Sequence, residues 1–255
     1  EKGYESAIKQ CIQAALISPK FLYRIESDSK FTKPYRINSF ELASRLSYFL
    51  WASMPDDELL NAAINGDFNH PEVLAKQIGR MVKDSKSDTL GSLFAAQWLG
   101  FGLLGNRIRL DPIDNPWCTD SLMQSMRDES ALFFVSLVRD NRPIEDLINA
   151  PYTFMNEELS REIYGMDSVR GAKMRQVPLN DPRRAGILTH GSLMAITSNY
   201  KETSPIKRGN WILETLLGKP LPPPPPNAGA FSEVLENDDS LTFQEKVELH
   251  SKRAS

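Results

Sequence analysis

The stretch Asn38–Gly66, NSFELASRLSYFLWASMPDDELLNAAING, carries the signals for two helices and the break between them. Asn38 with Glu41 three residues on matches a capping box, in which side chains and backbone of the first turn satisfy each other's donors. Leu42, Leu46, Phe49 and Leu50 recur at helical spacing and predict the buried stripe. Met54-Pro55-Asp56-Asp57 stops this helix and starts the next, since proline suits the first helical position and carboxylates suit the positive end of the dipole. Gly66 then offers a C-terminal cap.

The same period recurs on both sides. Tyr4 to Ile17 predicts a first helix that ends at Ser18-Pro19, because a residue before proline is pushed out of helical backbone angles. His70-Pro71-Glu72 opens another helix. SDTLGSLFAAQWLG follows it, with Leu90, Phe94, Gln97 and Trp98 on one face, which predicts packing by the aromatic side. Thr119 or Asp120 caps the longest helix, which runs to about Asp140, and Pro143 starts a short one. GILTHGSLMAIT is a short apolar element whose type the pattern leaves open. Clean two-residue alternation is hard to find, so the chain reads as mostly α, an irregular multi-helix bundle.

Thr203 or Ser204 caps a further helix with Pro205 near its first position. Five prolines, Pro222–Pro226, follow it. Such a run locks into polyproline II and makes a spacer of about 16 Å. It leads to a last helix, LTFQEKVELHSKRAS, with a capping box from Thr242 to Glu245. The helical pattern weakens after Gly165, which divides the chain into a helical segment over 1–36, a helical domain over 37–165, and a second helical segment with the proline linker over 166–255.

A chain of 255 residues with 41% hydrophobic content is long enough to bury a core. A net charge of −3 provides no field that would gather phosphate backbone, so nucleic acid is not an expected partner. No apolar run approaches the ~18 residues of a membrane span. The amino end has neither an initiator Met nor an export signal, and so reads as that of a mature chain or an excised piece. Cys11 and Cys118 lack metal-type spacing and are either two buried thiols or one disulfide.

Glu129 falls on the apolar stripe of the longest helix, with Leu122, Met126, Phe133 and Leu137. A carboxylate there must find a cation or lose its charge. It is either a structural ion pair with an Arg of a neighbouring helix or a poised acid. Lys207 and Arg208 stand near the positive end of their helix, so at least one is expected to meet a carboxylate, with Glu129 as a candidate. The acidic turn Asp56-Asp57-Glu58 is explained by its place at a helix start. No calcium-loop or H-E-x-x-H spacing is present, and G-x-S-x-G is absent, so the sequence shows no catalytic constellation. Of three histidines, His70 begins a helix, His190 sits in an apolar element as a core imidazole, and His250 lies on the last helix.

ALISPKFLYRIE, ELASRLSYFLWASMPDDELLNAAINGDF, the QWLG helix, RDESALFFVSLVRDNRPIEDLINAPYTFMNEELSREIYG and RAGILTHGSLMAITSNYKETSPIKRGNWILETLLGKPLPPPPPN occur in this order. Together they resemble the large multidomain cytochrome-c-like proteins of planctomycetes and related bacteria, which are built of consecutive domains of unknown function. The chain departs from that pattern at Ala150-Pro151, where an Asp usually precedes the Tyr-Thr-Phe phrase.

The resemblance implies an exported, periplasmic or cell-surface protein whose last helix runs into a C-x-x-C-H haem-attachment motif. Because this sequence stops at Ser255, it is expected to be a piece of a longer haem c protein and to bind no haem covalently itself. His250, and less directly His190, would then approach the haem as ligand or neighbour. The implied function is the helical scaffold of a c-type cytochrome used in electron transfer or oxidative chemistry. Its partners would be the remaining domains of the polypeptide and a redox partner protein. The alternatives are a non-catalytic docking module and a carboxylate-dependent hydrolase using Glu129.

Overall fold

In the computed structural model, residues 2–24, 26, 35–199, 203–222 and 245 are described. The proline tract beyond Pro222, the final capping box and His250 lie outside them. Contacts divide the chain into two units, Glu1–Pro205 and Ile206–Ser255. The described structure is mostly α, with one small two-stranded sheet.

The first unit begins with α1 (Lys2–Leu16) and α2 (Pro19–Leu22). The capping box forms at the start of α3 (Ser39–Trp51): Asn38 Oδ1 accepts the Glu41 N–H at 2.9 Å, and the Glu41 carboxylate accepts the Asn38 N–H at 3.0 Å. The Asp56 side chain accepts the Leu59 N–H to cap α4 (Asp57–Ile64), and also takes two guanidinium nitrogens of Arg80 from α5 (Pro71–Lys83), at 2.6 and 3.0 Å. This acidic turn is thus a helix cap joined to an ion pair.

The buried face of α3 is Ala43, Ser47, Leu50 and Trp51, rotated from the predicted stripe, and Phe49 is left 55% exposed. Trp51 sets the rotation. Its indole is sealed and its N–H donates to the Met81 carbonyl at 2.9 Å, which only this orientation of the helix allows.

A π-helical segment, Leu90–Ala95, continues into α6 (Ala96–Trp98). It packs on α7 (Asp120–Arg139) with Phe94 and Trp98 against Phe134, ring centres 6.0 and 6.2 Å apart, as the predicted aromatic face expects, and with Gly91 close to the α7 backbone. A Cβ on Gly91 would lie 2.3 Å from the Ala131 carbonyl oxygen, a backbone approach open only to glycine. Phe94 and Trp98 are each left 40% exposed beside these contacts, and Phe94 also meets Phe49 edge to face at 5.4 Å.

The Thr119 hydroxyl caps α7, and the whole predicted stripe from Leu122 to Leu137 is buried. Two apolar clusters share this helix. Leu122, Met123 and Met126 join Met155, Leu159 and Ala195, whereas Val135 joins Leu50, Trp51, Leu59 and Met81. Glu129 and Ser130 stand between them along the helix.

After α7 come α8 (Asp146–Asn149), β1 (Tyr152–Met155), α9 (Glu157–Tyr164) and β2 (Arg175–Pro178). The strands pair antiparallel, with Tyr152 opposite Pro178 and Met155 opposite Arg175. Gly186, at φ 53°, passes so close to α8 that a Cβ would fall 2.3 Å from the Ile148 backbone. That close passage delivers a 3-10 turn, Ile187–Thr189, and then α10 (Gly191–Ile196), the element whose type the sequence left open.

Helix α11 (Pro205–Trp211) is opened by Pro205, as expected; from Ile206 on it belongs to the second unit, with a π-helical turn, Ile212–Leu216, and Asn210 donates to Glu214 at 3.1 Å. Cys11 and Cys118 are free thiols, the first exposed, the second half-buried, so neither the disulfide nor the pair of buried thiols is found. Among the described residues no helix is long and apolar enough to cross a membrane.

Gly91→Ala is expected to destabilise the chain by about 3 kcal/mol, since the added carbon meets backbone that cannot give way. Gly79→Ala, in the open middle of α5, is expected to stabilise it by up to about 1 kcal/mol. Urea unfolding of both variants checks the contrast, and equal midpoints would contradict the close approach.

Candidate functional site

The middle of α7 presents Glu129 and Ser130, both without solvent exposure, to three other segments. Thr153 comes from β1, where it and Met155, two residues apart, are both fully buried. Tyr164 is the last residue of α9 and only partly covered. His190 and Ser192 come from the start of α10, fixed by the tight passage at Gly186.

These side chains form one hydrogen-bonded line. Tyr164 donates to Glu129 Oε1, and Thr153 donates to the same oxygen at 2.7 Å. The Thr153 oxygen lies 3.2 Å from His190 Nε2, Ser130 lies 3.0 Å from His190 Nδ1, and the Ser130 and Ser192 hydroxyls are 2.7 Å apart. Each hydroxyl has one proton, so the order of donors follows. With its proton spent on Glu129, Thr153 must accept from His190 Nε2–H. His190 Nδ1 then accepts from Ser130, and Ser130 accepts from Ser192. Every donor points along the line towards the carboxylate.

Burial holds the Glu129 carboxyl well above the usual range, at about 7, against the pull of Tyr164, Thr153, the Gly191 N–H and the charge of Arg184. The Gly191 N–H is near enough to favour the charge without closing a hydrogen bond on Oε2, which is buried with no hydrogen-bond partner among the described residues. His190 is pushed down to about 3 by burial and, less strongly, by Arg184, so it stays neutral. Burial and the neighbouring carboxylate push the Tyr164 phenol far up. The Arg184 guanidinium stacks 5.0 Å from the Tyr164 ring centre and donates to the Thr189 and Ile163 carbonyls at 3.1 and 3.0 Å.

The expected ion pair of Glu129 with an arginine of a neighbouring helix is therefore corrected. Among the described residues of the first unit no cation lies within ion-pair distance of it, and hydroxyls hold it instead. The Tyr164 and Thr153 hydroxyls hold one oxygen of the carboxyl without burying a second charge. His190 is a core imidazole with both ring nitrogens engaged.

Two hollows flank the line. One of about 620 Å³ is lined by Tyr164, Asn180, Asp181, Arg183, Arg184 and Met194. The other, of about 290 Å³, has Met126, Arg184 and Gly191 in its lining. A larger cleft, about 850 Å³, lies elsewhere, beside α3. In its lining Glu26 pairs with Arg45, Glu41 caps α3, and Arg24 lies over the Tyr48 ring at 4.8 Å. Among the described residues no group of His, Cys, Asp and Glu is arranged to hold a metal.

The family model PSD4, described as a protein of unknown function (DUF1592), matches residues 37–166. The chain belongs to this family. A second model, PSCyt3, described as a protein of unknown function (DUF1588), matches residues 184–255. No curated protein and no solved structure matches the chain. The polar line joins the two matched regions: Glu129, Ser130, Thr153 and Tyr164 belong to the DUF1592 region, Arg184, His190 and Ser192 to the DUF1588 region.

The two buried titrations act on stability with opposite sign. Between pH 4.5 and 7 folded Glu129 keeps a proton that the unfolded chain has lost, so stability falls as pH rises. Between pH 3 and 6.5 the unfolded chain binds a proton on His190 that the folded state refuses, so stability rises with pH. From 4.5 to 6.5 the two cancel, and the wild type is expected to be nearly flat there. In Glu129→Gln stability should climb by about 1.4 kcal/mol per pH unit over the same range. Urea midpoints across that range decide it, and parallel profiles for the two proteins would contradict the assignment.

Proposed function

We propose that this chain is the helical scaffold portion of a multidomain, exported, c-type cytochrome-like protein, in which electron transfer or oxidative chemistry is carried by the longer polypeptide. The observation that carries this reading is the succession of two family regions in one chain, the second with a label, PSCyt3, that reads as cytochrome-like. The polar line is consistent with a scaffold, since all its members but Tyr164 are fully buried and join the segments that carry them.

The described residues do not fit a covalently held haem. Cys11 is exposed on α1, Cys118 precedes α7, and both nitrogens of His190 are held by hydroxyls. The haem c of this proposal therefore belongs to the remaining domains, and His250 is its proposed neighbour.

One observation favours a docking module instead. Phe49, Leu93, Phe94 and Trp98 make a half-exposed aromatic face where α3 meets the π-helical segment. A neighbouring domain of the same polypeptide would cover it.

A reduced-minus-oxidised spectrum of the longer natural polypeptide separates the two. The cytochrome-like reading expects Soret and α bands, and His250→Ala should shift them. A polypeptide without haem bands leaves the docking module.

A further inference from the structure

Tyr164 differs from a core tyrosine in two respects. Its ring lines the hollow of about 620 Å³, and its hydroxyl donates inward to a carboxylate that has no solvent exposure. Tyr152, by contrast, has its hydroxyl beside the Ser136 hydroxyl at 3.2 Å. We propose that Tyr164 is a one-electron donor whose phenolic proton passes to Glu129 as the electron leaves. The co-reactant is an outer-sphere, one-electron metal oxidant reaching the ring from the hollow.

The step balances within one hydrogen bond. The phenolic O–H breaks, an O–H forms on Glu129 Oε1, and the electron goes to the oxidant, which leaves a neutral tyrosyl radical beside a neutral carboxylic acid. Reduction returns the electron and the proton. Losing the proton first would place a phenolate next to the Glu129 carboxylate in a covered site. Losing the electron first would place a cation radical under the Arg184 guanidinium, 5.0 Å from the ring centre. The coupled step avoids both charges and also discharges a buried carboxylate, which burial itself favours.

The groups facing Glu129 are few. Tyr164 comes from α9, His190 from the start of α10, Arg184 from the segment after β2, and uncharged Thr153 from β1. The π-helical segment over α7 carries no ionisable side chain. Asp88 and Asp146, on elements that meet α7 further along, are paired with Arg139 and Arg142. His190 remains neutral across the working range, so Glu129 is the proton acceptor in this setting.

The proposal stands apart from the cytochrome-like reading, because the test supplies its own oxidant. Flash-generated tris(bipyridine)ruthenium(III) is added to the chain, and the tyrosyl radical is followed by absorbance and electron paramagnetic resonance. The wild type should form the radical with a solvent deuterium isotope effect, and its rate should fall about tenfold per pH unit below the carboxyl titration near 7. Glu129→Gln should slow it about a hundredfold at pH 8, the scale of a lost general base. Tyr164→Phe should remove the pH-dependent signal. A pH-independent rate, an isotope effect of unity, or an unchanged radical in Tyr164→Phe would each overturn the proposal. The measurements are made in a background with the exposed Tyr4, Tyr23, Tyr35 and Tyr48 replaced by Phe, so the isotope effect reports on Tyr164 and the test survives a misfolded Glu129→Gln.

Discussion

Glu129 stands on the one face of α7 that must be buried, and the first unit is organised around that constraint. A carboxylate in an apolar interior loses far more hydration than one packing contact returns, so it needs donors. Here they are hydroxyls, each backed by a further donor in line: Thr153 by His190, His190 by Ser130, Ser130 by Ser192. A fixed order of dipoles substitutes for a counter-charge. The apolar clusters at the two ends of α7 hold this order in place, because the helix they share cannot turn without unpacking one of them.

The helical framework was legible because local signals carried it. Asn38 and Glu41 cap α3, Asp56 caps α4 and Thr119 caps α7, and in each the donor and acceptor lie three residues apart, within reach of any one-dimensional reading. Rotation about a helix axis was less legible. The face of α3 was set by the bond from Trp51 to the Met81 carbonyl, thirty positions along the chain, and the close approach of the π-helical segment to α7 by the Gly91 contact with Ala131. Both belong to tertiary contacts, for which hydrophobic spacing has no sign. The sheet escaped notice for another reason. β1 has four residues and mostly buried positions, and β2 is largely exposed, so neither shows alternation.

For the site, spacing alone exposed Glu129, because a charge among Leu122, Met126, Phe133 and Leu137 conflicts with their burial. Its partners left no comparable trace. Ser130, Thr153 and Ser192 are small residues that helices, strands and turns all tolerate, and Tyr164 reads as an ordinary end of an amphipathic helix. An arginine was the natural expectation, since opposite charge is the commonest answer to a buried acid. Arg184 does lie near, but it is spent on two carbonyls and the Tyr164 ring. The scarcity of histidines was the remaining clue: it marked His190 as a core imidazole or, through the resemblance, a haem ligand or neighbour, and gave no sign of the hydroxyl line its nitrogens join.

The same line bears on how the two matched family regions relate. The sequence match divides at 166 and 184, yet contacts keep everything to Pro205 in one unit. The physical reason lies in the residues exchanged across that division. Without His190 and Ser192, Thr153 and Ser130 would lose their partners on one side, and a face of Phe133 now covered by the His190 ring at 4.9 Å would open. Without Glu129 and Thr153, a neutral imidazole would be buried with one nitrogen unsatisfied, a cost of a few kcal/mol. Neither region closes its core alone. The opening residues of the DUF1588 region therefore act as the missing wall of the DUF1592 body.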